Sequence, residues 1–242
     1  MEWRDDGIVL STRPYGETGA IVELLTREHG RHLGLVRGGA GRRHKGMLQP
    51  GNGLAVHWRA RLSEHLGSYT AETVKPRAGV LMDDSFALTG LSAACAVAGL
   101  VPEREAHPAL YEGFELLLDT MEDADIWPAV FVRFELGLLQ ELGFGLDLAQ
   151  CAATGSRDDL AYVSPRSGGA VSRSAGEAYR DRLFRLPQFL IGAQAGKANP
   201  EDIAEGLRIT GHFLERHLYA PQDRHLPDAR IRLMERFAAR AV

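Results

Sequence analysis

The chain has 242 residues, 45% hydrophobic and 25% charged, which is ordinary for a globular protein with a real core in one large domain or two modest ones. The acidic opening MEWRDDGIVL lacks the basic flank and apolar run of a secretory signal, and the longest nearly uncharged stretch, 86–102, falls short of the ~20 apolar residues of a membrane span. Cys95 in an apolar run and Cys151 in a polar turn region make no disulfide framework, so a cytoplasmic protein is expected.

The first 78 residues alternate in polarity and turn often. Residues 8–12, 20–26 and 32–36 read as short strands, separated by the turn formers Pro14-Tyr15-Gly16 and His29-Gly30. Residues 54–63 carry apolar side chains at 54, 56, 58, 60 and 62, the period of a half-buried strand, and 67–74 make a fifth candidate. Between the third and fourth, GRRHKGMLQPGNG has room for a short helix and a turn. Five strands with a helical insertion after the third predict a small barrel of the OB type.

Beyond residue 80 the period becomes helical. Asp83-Asp84 suit the start of a helix over 85–101 by capping and by the dipole. Pro108 and Pro128 occupy first-turn positions of helices within 107–122 and 125–144. Asn199 and Pro200 open a helix over 199–219, and 226–239 closes the chain. A polar, non-periodic stretch at about 147–178 interrupts this pattern. The expected architecture is α+β: a β-barrel domain over 1–78, then an α-helical domain over 79–242.

Motifs of catalysis are absent. GGAGRRHKG resembles a phosphate loop, but a P-loop needs Gly-Lys followed by Ser or Thr, and here Lys45 precedes Gly46. No GxSxG elbow occurs. His212 and His217 are five apart on a predicted helix, not the three or four that align ligands on one face. No enzyme and no cofactor are expected. In 147–178, Cys151 opens the spacing of a ribbon zinc site, but Thr154, Ser172 and Ala175 stand where its partners would fall. One thiolate cannot complete a tetrahedral site, so the stretch reads as a metal-free, zinc-finger-like loop, a hairpin with Leu160, Tyr162 and Val163 inside.

Charge is unevenly spread. Residues 1–78 carry a net +4 and residues 79–242 a net −8. Residues 31–61 hold seven Lys or Arg and no carboxylate. The third and fourth strands are expected to display Arg31, Arg37, Arg59 and Arg61 on a barrel wall, with Arg42, Arg43 and Lys45 arching over it. Such a groove attracts phosphates and releases their counterions. Trp58 and Tyr69 are candidates for base stacking, although Trp58 also falls on the core phase of its strand. The basic face points to a nucleic-acid binder. An RNA-binding OB protein is the alternative, because a phosphate groove alone does not tell DNA from RNA.

The stretch from GIVLSTRPYGETGAIVELL through RGG, the basic segment and LQPGN resembles the N-terminal signature of the bacterial RecO recombination mediators. FELGLLQELGFGLDLAQCAATG, DLAYVSPRSGGAVS and LPQFL extend the similarity over nearly the whole chain. The resemblance implies an OB-fold domain followed by a helical domain. It implies binding of single- and double-stranded DNA, annealing of complementary strands, and loading of RecA with the partner RecR. Some members of the family carry a four-cysteine zinc site, from which Thr154, Ser172 and Ala175 depart here. The family also docks the acidic C-terminal tail of single-strand-binding protein. Arg133 in FVRFELGLL is a candidate basic partner for that tail, or a structural arginine.

Overall fold

In the computed structural model the chain forms two compact units, Met1–Glu122 and Asp123–Val242. The structure describes residues 1–192 and 198–240, and of Arg43 the backbone alone.

The first unit is built on a closed barrel of strand order β1-β2-β3-β5-β4. Its strands are β1 (Glu2–Tyr15), β2 (Gly19–Thr26), β3 (Gly30–Val36), β4 (Gly53–Arg59) and β5 (Ser68–Lys75), with the one-turn helix α1 (Arg42–Lys45) after β3. β1 runs well beyond the expected 8–12 because its two ends serve different partners. Its first half pairs with β4, from Glu2↔Arg59 to Ile8↔Gly53, and its second half pairs with β2 out to Tyr15↔Gly19. A bulge between Val9 and Ser11 bends it, and Asn52 and Gly51 bond the backbone of Val9 there. The inward residues of all five strands, together with Leu48, make one core around Trp58.

Three helices complete this unit: the single turn α2 (Arg77–Val80), then α3 (Ser85–Ala98) and α4 (Pro108–Asp119). Asp84 caps α3 by accepting from the amides of Phe86 and Ala87. Residues 79–122 contain eight carboxylates and one Lys or Arg, and the structure gives several of those acids partners on the barrel. On α4, Glu112 and Glu115 pair with Arg27, Glu115 also with Lys75, and Asp119 with Lys75 and Arg77. Burial alone would raise the Asp119 carboxyl, but the bonds from Lys75 and Arg77 outweigh it and hold it below the ordinary range.

His32 sits inside the barrel mouth at 3% exposure, with Nδ1 3.0 Å from the Tyr69 hydroxyl. Burial, and then the charge of Arg104, push its pKa down to about 4. The unfolded chain takes up a proton near pH ~6.5 that the folded chain refuses, so this stability is complete above that pH and lost on acidification. Denaturant unfolding at neutral pH and at about pH 4.5 should show a loss of roughly 2–3 kcal/mol from this group. A folded His32→Phe variant should lose correspondingly less, and an unchanged pH slope in that variant would remove His32 as the cause.

The second unit contains α5 (Trp127–Glu141), β6 (Leu160–Val163), β7 (Ala170–Ser172), the single turn α6 (Arg173–Gly176), β8 (Phe184–Arg185), α7 (Pro200–Leu214) and α8 (Asp228–Arg240). The strands form a small sheet of order β7-β6-β8. Asn199 caps α7, accepting from the Asp202 amide at 2.7 Å. The sequence places Tyr162 inside the hairpin, but a register shift between Leu160 and Tyr162 turns it outward. It is half-buried, donates to Glu177 at 3.0 Å, and Ala161 takes an inner place beside Leu160 and Val163. At the centre of this unit Arg230 of α8 is fully buried and donates to both carboxylate oxygens of Glu135 on α5, at 2.6 and 2.9 Å. Thr210 of α7 donates to the same carboxylate.

Candidate nucleic-acid interface

The basic linker after β3 is fixed by its own backbone. Gly39 donates to the Val36 carbonyl, Ala40 to Thr18 and Gly41 to Gly38. A Cβ on Gly39 would lie 2.7 Å from that of Ala20, so only glycine lets the linker press this closely on β2. Nδ1 of His44 lies 3.0 Å from the Gly38 carbonyl, and Asn52 donates to the carbonyls of Gly46 and Met47. These bonds hold the backbone from Val36 to Asn52 while leaving Arg37, Arg42 and Lys45 exposed. Among the described residues none of these three cations has a carboxylate partner. Arg43 lies in α1, with its side chain outside the described part of the structure.

Arg13 joins them from β1. Arg13 and Leu35 are both register partners of Ile21 on β2, so Arg13 lies one strand from the exit of β3. It too is exposed, with no ion partner among the described residues. The β1–β2 turn also brings Glu17, an exposed carboxylate, to this end of the barrel. Sequence reading missed Arg13 because it lies outside the acid-free segment. Its signal was the outward phase it shares with Ser11.

The other three cations of the expected wall, and its two aromatics, are placed differently. β3 and β4 are not neighbours, because β5 lies between them, so they form no single wall. Arg31 is engaged: it donates to Glu23 and to the Val101 carbonyl, and it lies 3.5 Å from Glu103. Arg59 is exposed but paired with Glu2 at 2.9 Å. Arg61 is exposed in the β4–β5 loop, which Arg104 ties down through the carbonyls of Ser63, Glu64 and His65. Trp58 and Tyr69 are 2% and 5% exposed and offer no face to a base. Their packing admits no slack: a Cβ on Gly67, whose φ is +65°, would lie 2.4 Å from the Trp58 ring, and one on Gly34 2.4 Å from the Tyr69 ring. With α4 neutralising Arg27, Lys75 and Arg77, the exposed cations that have no carboxylate partner among the described residues include Arg13, Arg37, Arg42 and Lys45 at the α1 side, and also Arg4 of β1 and Arg61 of the β4–β5 loop.

Family models for "Recombination protein O N terminal" and "Recombination protein O C terminal" match residues 1–77 and 82–227. The DNA repair protein RecO of Phenylobacterium zucineum is 55% identical over 239 residues, covering 98% of each chain. That of Caulobacter vibrioides strain NA1000 is 54% identical with the same coverage, and that of Mesorhizobium japonicum is 53% identical over 95% of this chain and 91% of its own. The chain belongs to the RecO family. The family boundary at 77–82 follows the barrel, whereas the compact units divide after Glu122 because α3 and α4 stay with the barrel.

The zinc site that the resemblance brought into question does not fit these residues. Cys151 is buried, and its Sγ accepts from the Ser172 amide at 3.3 Å. Burial would push this thiol up, but hydrogen bonds from the Ser172 and Thr154 hydroxyls and from the amides of Ser172 and Ala153 bring it down to about 6. Hydrogen-bond donors thus surround the sulfur, and Ala175 supplies no ligand at all. Among the described residues no group of three or more His, Cys, Asp or Glu could hold a metal ion. On α5, Arg133 is exposed, and its Nη2 donates to the carbonyls of Phe189, at 2.5 Å, and Gly192, at 3.2 Å. That bonding is structural and leaves the guanidinium at the surface. Among the described residues no helix is long and apolar enough to cross a membrane.

Proposed function

We propose that this RecO-family chain serves DNA repair and recombination in the cytoplasm as a mediator, without covalent catalysis. It binds single- and double-stranded DNA through the α1 side of its barrel and anneals complementary strands. With RecR it helps load RecA onto DNA coated by single-strand-binding protein, whose acidic tail meets Arg133. One observation carries the DNA-binding part of this reading: Arg13, Arg37, Arg42 and Lys45 lie exposed at one end of the barrel without carboxylate partners among the described residues, while α4 neutralises cations elsewhere on it. Neutralising backbone phosphates releases counterions, which gives binding that is independent of sequence and steeply dependent on salt. That property suits a protein acting on any broken DNA.

Competition between labelled single-stranded DNA and RNA of the same sequence tests the reading. The expected results are preferential DNA binding and faster pairing of complementary DNA strands when the protein is added. Tighter binding of RNA, with no acceleration of strand pairing, would replace it with the RNA-binding alternative.

A further inference from the structure

With Trp58 and Tyr69 closed inside the core, neither serves as the aromatic platform on which single-strand binders commonly stack bases. The cationic end carries the exposed Tyr15, at the end of β1, and a hollow. Beside α1 a cavity of about 350 Å³ opens between the end of β1 and the linker. Its floor is Ala20 and Leu48, each 2% exposed, and its walls include Pro14 and Ala40. Lys45 and Gln49 stand at its rim.

The polar groups are few and distinct. Thr12, which also lines the hollow, spends its hydroxyl on the Leu48 carbonyl at 2.8 Å, and Gln49 spends its amide nitrogen on the Lys45 carbonyl at 2.9 Å. The amide oxygen of Gln49 and the ammonium of Lys45 have no partner among the described residues. An apolar hollow with a few convergent polar groups is the common form of a small-ligand site. Here the surrounding charge is positive, from Arg13, Arg37, Arg42 and Lys45. The complementary occupant is an apolar planar body carried on an anionic chain.

We infer that this hollow receives one unstacked base of a single DNA strand whose phosphates lie on the surrounding cations. The inference rests on the DNA-binding reading above and deepens it. The base packs against Pro14, Ala40 and Leu48, and Gln49 and Lys45 meet its polar edge. A duplex keeps its bases stacked inside and has none to insert, so the same cations hold duplex and single strand while the hollow favours the single strand.

The test is the variant Ala40→Phe, which fills the hollow and changes no charge. Single-strand affinity should fall about tenfold, the scale of losing one base contact, while the salt slope and duplex affinity stay at wild-type values. On the wild-type protein, an oligonucleotide with abasic sites should show a similar loss against the intact strand, a comparison that needs no variant to fold. Equal affinity of the wild type for intact and abasic strands overturns the inference, as does unchanged single-strand affinity in a folded Ala40→Phe variant. If Arg42, Arg43 and Lys45 still prove necessary in that case, the phosphate site stands and the base pocket alone is wrong.

Discussion

Replacing Arg42, Arg43 and Lys45 together with alanine is expected to leave the chain folded and to weaken single-stranded DNA binding for every sequence. The linker that carries them is held by backbone bonds from Gly39, Ala40 and Gly41 and by the side chains of His44 and Asn52, none of which the substitutions remove. Each lost phosphate contact flattens the plot of log affinity against log salt by about 0.7, so three lost contacts change the slope by about two. At about 0.1 M salt that corresponds to roughly a hundredfold loss of affinity. Adding Arg13→Ala should take the slope down by a further ~0.7. Arg31→Ala should act differently, lowering stability before it touches the salt slope, because Arg31 is bonded to Glu23 and the Val101 carbonyl.

The largest loss of stability is expected from Arg230→Ala. Arg230 and Glu135 are both fully buried, and the substitution leaves the Glu135 carboxylate inside the second unit with the Thr210 hydroxyl as its one side-chain donor among the described residues. Breaking one partner of a buried pair costs about 3–5 kcal/mol, most of it the penalty of stranding the other charge. The double variant Arg230→Met with Glu135→Leu should recover most of that loss, because it removes both charges and fills similar volume. Denaturant unfolding of the two variants decides the matter. If the double variant is as unstable as the single one, shape and not stranded charge sets the cost.

Much of this architecture was legible in the sequence because two periods mark it plainly. Alternation at 54, 56, 58, 60 and 62 located β4, and Asp84, Pro108 and Asn199 marked where helices begin. Periodicity says which residues face inward on a strand but not which strands lie side by side. That is why Arg31 and Arg59 were assigned to one wall although β5 separates their strands. Charge counting has the same blindness. It found the acid-free segment, but the carboxylates that engage Arg31 come from Glu23 on the neighbouring strand and from Glu103, which is distant in sequence. The acidic excess after residue 78 looked like a property of a separate helical domain. In the folded chain part of it lies on α4 and neutralises Arg27, Lys75 and Arg77, while Arg13, Arg37, Arg42 and Lys45 at the α1 side keep no carboxylate partner among the described residues. Tyr162 turned outward for a local reason, a one-residue register shift that no alternation pattern reveals.

Amide hydrogen exchange with and without a saturating single-stranded oligonucleotide locates the bound DNA, which is proposed to lie on the α1 side of the barrel. Slowed exchange across residues 37–49 and around Arg13, with little change on β4 and β5, is the predicted result. Protection confined to β4 and β5 or to the second unit, with residues 37–49 unchanged, would contradict it.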